Sequence, residues 1–225
     1  MNSKYSNFLT ILLILIIVAI VGIIGFLGFK YYETHISKNE AEDFVDSFNN
    51  QNENNNNTSV LPNEDVEVEY EGVEDSKNNG ETSSGSNNQQ KFNNFLVAGT
   101  IEIPATKLCC PILDQSEYSP KALETSVVVI YGAGLNKVGN TTISGHNYRN
   151  GTFFSNNKKL KVGDKIYITD LDGKRLTYTI YDKFQVEEND ADYMVRDTQG
   201  AIEISLSTCT DDSKARLIIL ARADV

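Results

Sequence analysis

The chain has 225 residues, with 31 acidic against 20 basic side chains, two histidines and three cysteines, for a formal net charge of −11. The acids are unevenly placed: residues 33–90 carry 14 of them with only Lys38 and Lys77 as bases, which leaves 17 acids and 16 bases over 91–225. A near-neutral C-terminal part has no basic face for a phosphate backbone, so nucleic acid is excluded as an expected partner.

Residues 8–29 contain no charge, and Thr10 is their only polar side chain. At about 1.5 Å per residue in a helix, such a run reaches across the roughly 30 Å of a bilayer core. It also exceeds the apolar core of about 7 to 15 residues found in a cleaved signal peptide. A retained transmembrane anchor is therefore expected. Its orientation stays open on charge, because the amino terminus and Lys4 on one side face Lys30 and Lys38 on the other. Residues 30–90 are acidic and rich in Asn and Ser, a composition that buries too little apolar surface to offset ordering entropy, and they predict a stalk. Within them the segment 36–48 sets Phe44, Val45 and Phe48 on one side. That pattern fits a short helix on the later domain, one near the lipid headgroups, or a weak amphipathic turn.

Residues 91–225 are of ordinary single-domain size and read as mostly β. Apolar or β-branched runs fall at 96–103, 108–113, 127–131 and 141–144, with turn residues between them. The segments 164–170 and 174–186 flank Asp172-Gly173, a tight-turn pair, and so predict a hairpin. Runs at 202–207 and 217–223 supply the last two strands. Ser119 as a cap with Pro120 in the first turn predicts a short helix through Glu124. About eight short strands argue for a closed barrel or a sandwich, between which periodicity does not choose.

The chemistry-bearing residues lie at strand ends. Cys209 closes the run Ser205-Leu206-Ser207-Thr208-Cys209, His146 closes Thr141-Thr142-Ile143-Ser144-Gly145-His146, and Arg216 opens the final strand. A cysteine that opens an acyl group needs a proton-transfer partner, and a fixed cation can hold the oxyanion that develops. His35 sits just past the apolar span, which leaves His146 as that partner. Each residue also has a bland reading, as a buried cysteine, a structural histidine or a surface ion pair of Arg216 with Asp211 or Asp212. Arg222, six residues beyond Arg216, reads as a surface charge. Cys109 and Cys110 are adjacent in a strand and so face opposite ways, one of them into the core. Glu187, Glu188, Asp190 and Asp192 include calcium-type ligands, but a run of solvated acids is the favoured reading, so no metal and no cofactor is expected.

At these residues the chain resembles the sortase family of membrane-anchored cysteine transpeptidases from Gram-positive bacteria. The resemblance rests on a histidine after a strand, the Ser-Leu-Ser-Thr-Cys run with Ser in place of the family's first Thr, an arginine opening the next strand, Gly139-Asn140 before the histidine, and a lysine-rich turn over 158–164. It implies a mainly β fold, a closed mixed eight-stranded barrel with short helices, preceded by the transmembrane helix and stalk. It further implies residues 1–7 in the cytoplasm, 8–29 in the membrane, 30–90 as stalk and 91–225 as an extracellular catalytic domain. Ser144-Gly145-His146-Asn147 looks class B-like, whereas the short connection between Val186 and Ile202 looks class D-like.

By the same resemblance, Cys209, His146 and Arg216 form the catalytic set, with Ser207, Thr208 and Asn147 as substrate-binding residues. The implied partners are secreted proteins bearing a C-terminal LPXTG-like sorting signal, and an amine acceptor from a peptidoglycan precursor or a pilin. Two alternatives use the same residues differently: an anchored cysteine endopeptidase that releases its product to water, and a noncatalytic anchored binding module. An L,D-transpeptidase is disfavoured because its Ser-His-Gly does not precede Cys209.

Overall fold

The structure is a computed structural model, and it describes residues 3–57 and 90–225. Residues 58–89, which hold most of the expected stalk, lie outside the described residues. The chain divides into two compact units, one ending at Asp43 and the other Phe44–Val225. In the first, helix α1 (Ser3–Asn57) begins. Its Phe8–Phe29 stretch has a mean hydropathy of 3.2 and is long and apolar enough to cross a membrane, which makes it a candidate anchor.

The second unit opens with the end of α1, so residues 44–57 are helical, and of the readings offered for 36–48 a helix on the later domain is the one observed for its end. The reason lies in the apolar triplet. Val45 and Phe48 are each only 1% exposed, and the Phe44 ring meets Phe92 edge-on at 5.3 Å. Asn49 adds a donor to Glu102 at 3.3 Å. These side chains stop being solvated once the β domain supplies a surface for them, which composition alone does not reveal.

After a two-residue strand, β1 (Lys91–Phe92), eight strands form the barrel: β2 (Phe95–Ile103), β3 (Leu108–Leu113), β4 (Val127–Gly132), β5 (Gly139–Ser144), β6 (Lys165–Asp170), β7 (Arg175–Glu187), β8 (Ile202–Cys209) and β9 (Ala215–Ala223). They run in the order β2-β3-β4-β5-β8-β9-β7-β6, and β6 returns to pair with β2. The sheet is mixed, with β3–β4 and β5–β8 parallel. Closure depends on Gly99, which pairs with Asp170 across the β2–β6 seam. A Cβ there would stand 2.3 Å from the Thr169 carbonyl oxygen. The barrel is filled by β-branched and leucine side chains, among them Ile101, Ile143, Ile168, Ile204, Leu206 and Ile219, all fully buried. The short helix α2 (Pro120–Thr125) starts where expected, with the Ser119 hydroxyl accepting from the Ala122 amide.

The β7–β8 connection lies against the outer face of the sheet. There Tyr193 packs with Ile218 and Leu220, and Phe184, Val186 and Met194 flank the cluster. Asn140 secures the connection by donating to the carbonyls of Tyr193 and Met194 at 3.2 and 2.9 Å.

At the opposite end of β8 and β9 from Cys209, Arg222 is exposed as a surface charge, at 59%, and it also pairs with a buried carboxylate. Glu203, only 2% exposed, accepts from Arg222 Nε at 2.8 Å and pairs with Arg196 at 2.6 Å. The Tyr181 hydroxyl also donates to it at 2.8 Å. Burial, together with its bond to this carboxylate, pushes the Tyr181 hydroxyl up to about 12. The ion pair was not legible because Glu203 is buried by tertiary packing, and strand periodicity does not report that.

Candidate active site

Strand register brings the three predicted residues together. β5 and β8 run parallel with Ser144 opposite Ser207, so His146 and Cys209 each follow two residues beyond a matched pair. Neighbouring strands lie about 4.8 Å apart, and equal offsets along parallel strands emerge side by side. Cys209 is in turn the direct antiparallel partner of Arg216 on β9. Side chains at 205, 207 and 209 share one face of β8, the face over which Tyr193 packs. Cys209 and Arg216 therefore lie at the edge of the β7–β8 connection.

The thiol is half-buried and unpaired with either of the other cysteines. Arg216 donates from Nη1 to Cys209 Sγ at 2.8 Å and from Nη2 to Glu188 Oε1 at 2.8 Å. His146 is half-buried, with its ring 4.9 Å from that of Tyr148. The strand end that carries it is fixed on both sides. The Gly145 amide donates to the Ser207 carbonyl at 3.2 Å, and the Thr208 hydroxyl donates to the Gly145 carbonyl at 2.7 Å. Glycine is required at 145, since a Cβ would come within 2.8 Å of Val127 and 2.9 Å of Phe154, both fully buried.

The remaining site candidates hold the frame together. Ser207 is 3% exposed and its hydroxyl is shared with Tyr193 at 3.1 Å. Thr208 is equally buried, and its hydroxyl is used by Gly145. Asn147 donates its side-chain amide to the Cys209 carbonyl at 3.0 Å and to Asp211 Oδ1 at 3.0 Å. Asp211 also takes Lys158 Nζ at 2.6 Å. Those bonds, from Lys158 first and then Asn147, hold the Asp211 carboxyl below the usual carboxylate range. Asn147, Lys158, Lys183, Thr208, Cys209 and Asp211 border a groove of about 270 Å³ at the barrel mouth. Sequence reasoning missed Glu188, Lys158 and Asp211 as neighbours of the thiol. Only the closeness of Asn147 to His146 and of Asp211 to Cys209 in the chain hinted at them.

Cys110 is the inward member of its pair, at 2% exposure, and burial pushes its thiol up to about 12. Cys109 is half-buried. Among the described residues no group of three or more His, Cys, Asp or Glu side chains is placed to hold a metal ion. Of the acidic run after β7, Glu188 is engaged by Arg216.

The sortase-domain family model matches residues 101–224, more than half of the chain. The protein belongs to the sortase family. Sortases are cysteine transpeptidases, and the closed mixed barrel observed here is their fold. The chain is 30% identical over 126 residues to sortase A of Bacillus anthracis, a match that covers 55% of this chain and 58% of that relative. It thus spans little more than half the length of that curated sortase. Among solved structures, the Clostridium perfringens sortase D5 transpeptidase superposes with a TM-score of 0.52 at 27% identity, covering 57% of this chain and 79% of that one. A Clostridium perfringens sortase C bearing the C-terminal cell wall sorting motif gives 0.51 at 26% identity, over 57% and 71%. Neighbours of both the C and D types leave the subclass of this sortase open.

Proposed function

We propose that this sortase cleaves a C-terminal LPXTG-like sorting signal of secreted proteins and transfers the new acyl end to an amine. The observation that carries this reading is the 2.8 Å contact between Arg216 Nη1 and Cys209 Sγ, on a strand pair whose neighbour β5 leads two residues on to His146. Cys209 attacks the scissile carbonyl as thiolate. The developing oxyanion takes the guanidinium of Arg216, a fixed positive group that needs no reorganisation. His146 protonates the leaving amine, which leaves a thioester on Cys209, and then accepts a proton from the incoming amine. The substrate class is carried over from the family, one solved member of which, a Clostridium perfringens sortase C, is seen with the C-terminal cell wall sorting motif. The acceptor is an amine of a peptidoglycan precursor or a pilin. Phe8–Phe29 anchors the chain, with residues 1–7 cytoplasmic and the barrel extracellular.

The test is incubation with a library of pentapeptide sorting signals, with and without an amine nucleophile, followed by mass spectrometry. A thioester adduct on Cys209 and an amine-dependent product are expected, both absent in Cys209→Ala and both retained in Cys109→Ala and Cys110→Ala. Product formed only by water would favour an endopeptidase. An active Cys209→Ala protein would refute the assignment.

A further inference from the structure

We propose that Glu188 is a positioning residue that fixes the plane of the Arg216 guanidinium against Cys209, an inference that rests on reading Cys209 and Arg216 as the reacting pair. A guanidinium is a flat fork whose donors point in set directions. With one end on the thiol it still turns about that single contact. Here the second end is also taken, since Nη2 donates to Glu188 Oε1 at 2.8 Å while Nη1 donates to Cys209 Sγ at the same distance. Two acceptors on two edges define the plane, and a defined plane decides where the remaining N–H groups point when an oxyanion forms beside the sulfur.

The sheet, rather than a loose loop, delivers Glu188. It is the first residue after β7, whose last two pairings with β9 are Val186↔Arg216 and Glu187↔Ala215. The carboxylate thus leaves the ladder beside the strand residue it holds. Its acidic neighbours serve the turn instead. The Asp190 amide donates to the Glu187 carbonyl at 3.1 Å, and Asp190 Oδ1 accepts from the Asp192 amide at 2.9 Å. Of this run, Glu188 is the acid bonded to Arg216.

Glu188 is 58% exposed, and an exposed ion pair adds little to folding. That separates geometry from stability and makes the role testable. Purified full-length Glu188→Ala, Glu188→Gln and Arg216→Lys proteins, with the Glu188→Ala/Arg216→Lys double variant, are compared in turnover of a fluorogenic peptide that the wild type cleaves. They are also compared in iodoacetamide labelling of Cys209, read by peptide mapping. Glu188→Ala is expected to lower kcat by about tenfold with KM within about twofold, the scale of a misplaced rather than a missing donor.

Glu188→Gln should recover most of that rate, because its amide oxygen accepts the same bond. Labelling of Cys209 in Glu188→Ala should be no slower than in wild type, since the positive charge stays near the sulfur and an opposing negative charge is gone. A role in loop folding alone would slow both reactions. In the Arg216→Lys background, Glu188→Ala should add no further loss, because an ammonium has no plane to fix. Wild-type kcat in Glu188→Ala, a Gln variant as slow as Ala, or additive losses in the double variant would each overturn the proposal. Undiminished turnover in Arg216→Lys would instead overturn the reading of the arginine beneath it.

Discussion

Two arginines on one strand, Arg216 and Arg222, are expected to answer the same substitution in opposite ways. Arg216→Lys keeps the charge but loses the fork that reaches both Cys209 Sγ and Glu188. Loss of one oxyanion donor lowers kcat by about 10² to 10³, or roughly 2.7 to 4 kcal/mol of transition-state stabilisation. Its stability effect is small, because the Glu188 carboxylate is 58% exposed and such pairs contribute about 0 to 1 kcal/mol. Arg222 stands at the other end of β9, opposite Glu203, some six residues or about 20 Å from the thiol. Its Nε and Nη2 both reach Glu203 Oε1, at 2.8 and 2.7 Å, and its guanidinium lies 5.5 Å from the Tyr181 ring centre. A lysine keeps one contact to a nearly fully buried carboxylate and gives up the second together with the ring. Arg196 and Tyr181 still serve Oε2, so the loss is about 1 to 3 kcal/mol, or roughly 2 to 10 °C in Tm. The assay is kcat from peptide turnover beside Tm from thermal unfolding of the same preparations. Arg222→Lys losing rate at unchanged Tm, with Arg216→Lys losing Tm at unchanged rate, would refute the assignment of both residues.

A fragment spanning 91–225 is expected to be soluble and β-rich yet less stable than one beginning before Phe44, because it lacks Val45 and Phe48. Full burial of each such side chain contributes about 1.5 to 3 kcal/mol, and equal urea midpoints for the two fragments would show that the α1 contacts with Phe92 add nothing. Gly145→Ala is expected to lose about 1 to 3 kcal/mol from overpacking against Val127 and Phe154, and to slow turnover further by displacing the neighbouring His146. A protein with wild-type Tm and kcat would mean that this corner has slack that the 2.8 Å approach denies.

Much of the candidate site was legible because the chemistry proposed for it needs particular residue types at strand ends, and both the types and the strand ends leave local marks. His146, Cys209 and Arg216 each sit at a boundary between a β-branched run and turn residues, and Asp172-Gly173 marked its hairpin without help from the rest of the chain. The candidate anchor was equally local, since the length and apolar composition that mark it are read from residues 8–29 alone. Other properties depend on residues far apart in sequence. Closure of the barrel rests on Gly99 meeting Thr169, the docking of Phe44, Val45 and Phe48 rests on a surface that begins with Phe92, and the role of Arg222 rests on a glutamate that the fold buries. The clamp of Asn147 on the Cys209 carbonyl and the hold of Glu188 on Arg216 are of the same kind. A side chain's type is set by its codon and its local conformation by its neighbours. Which acceptor its hydrogens meet is decided by strand register and burial, and these exist only once distant segments have packed together.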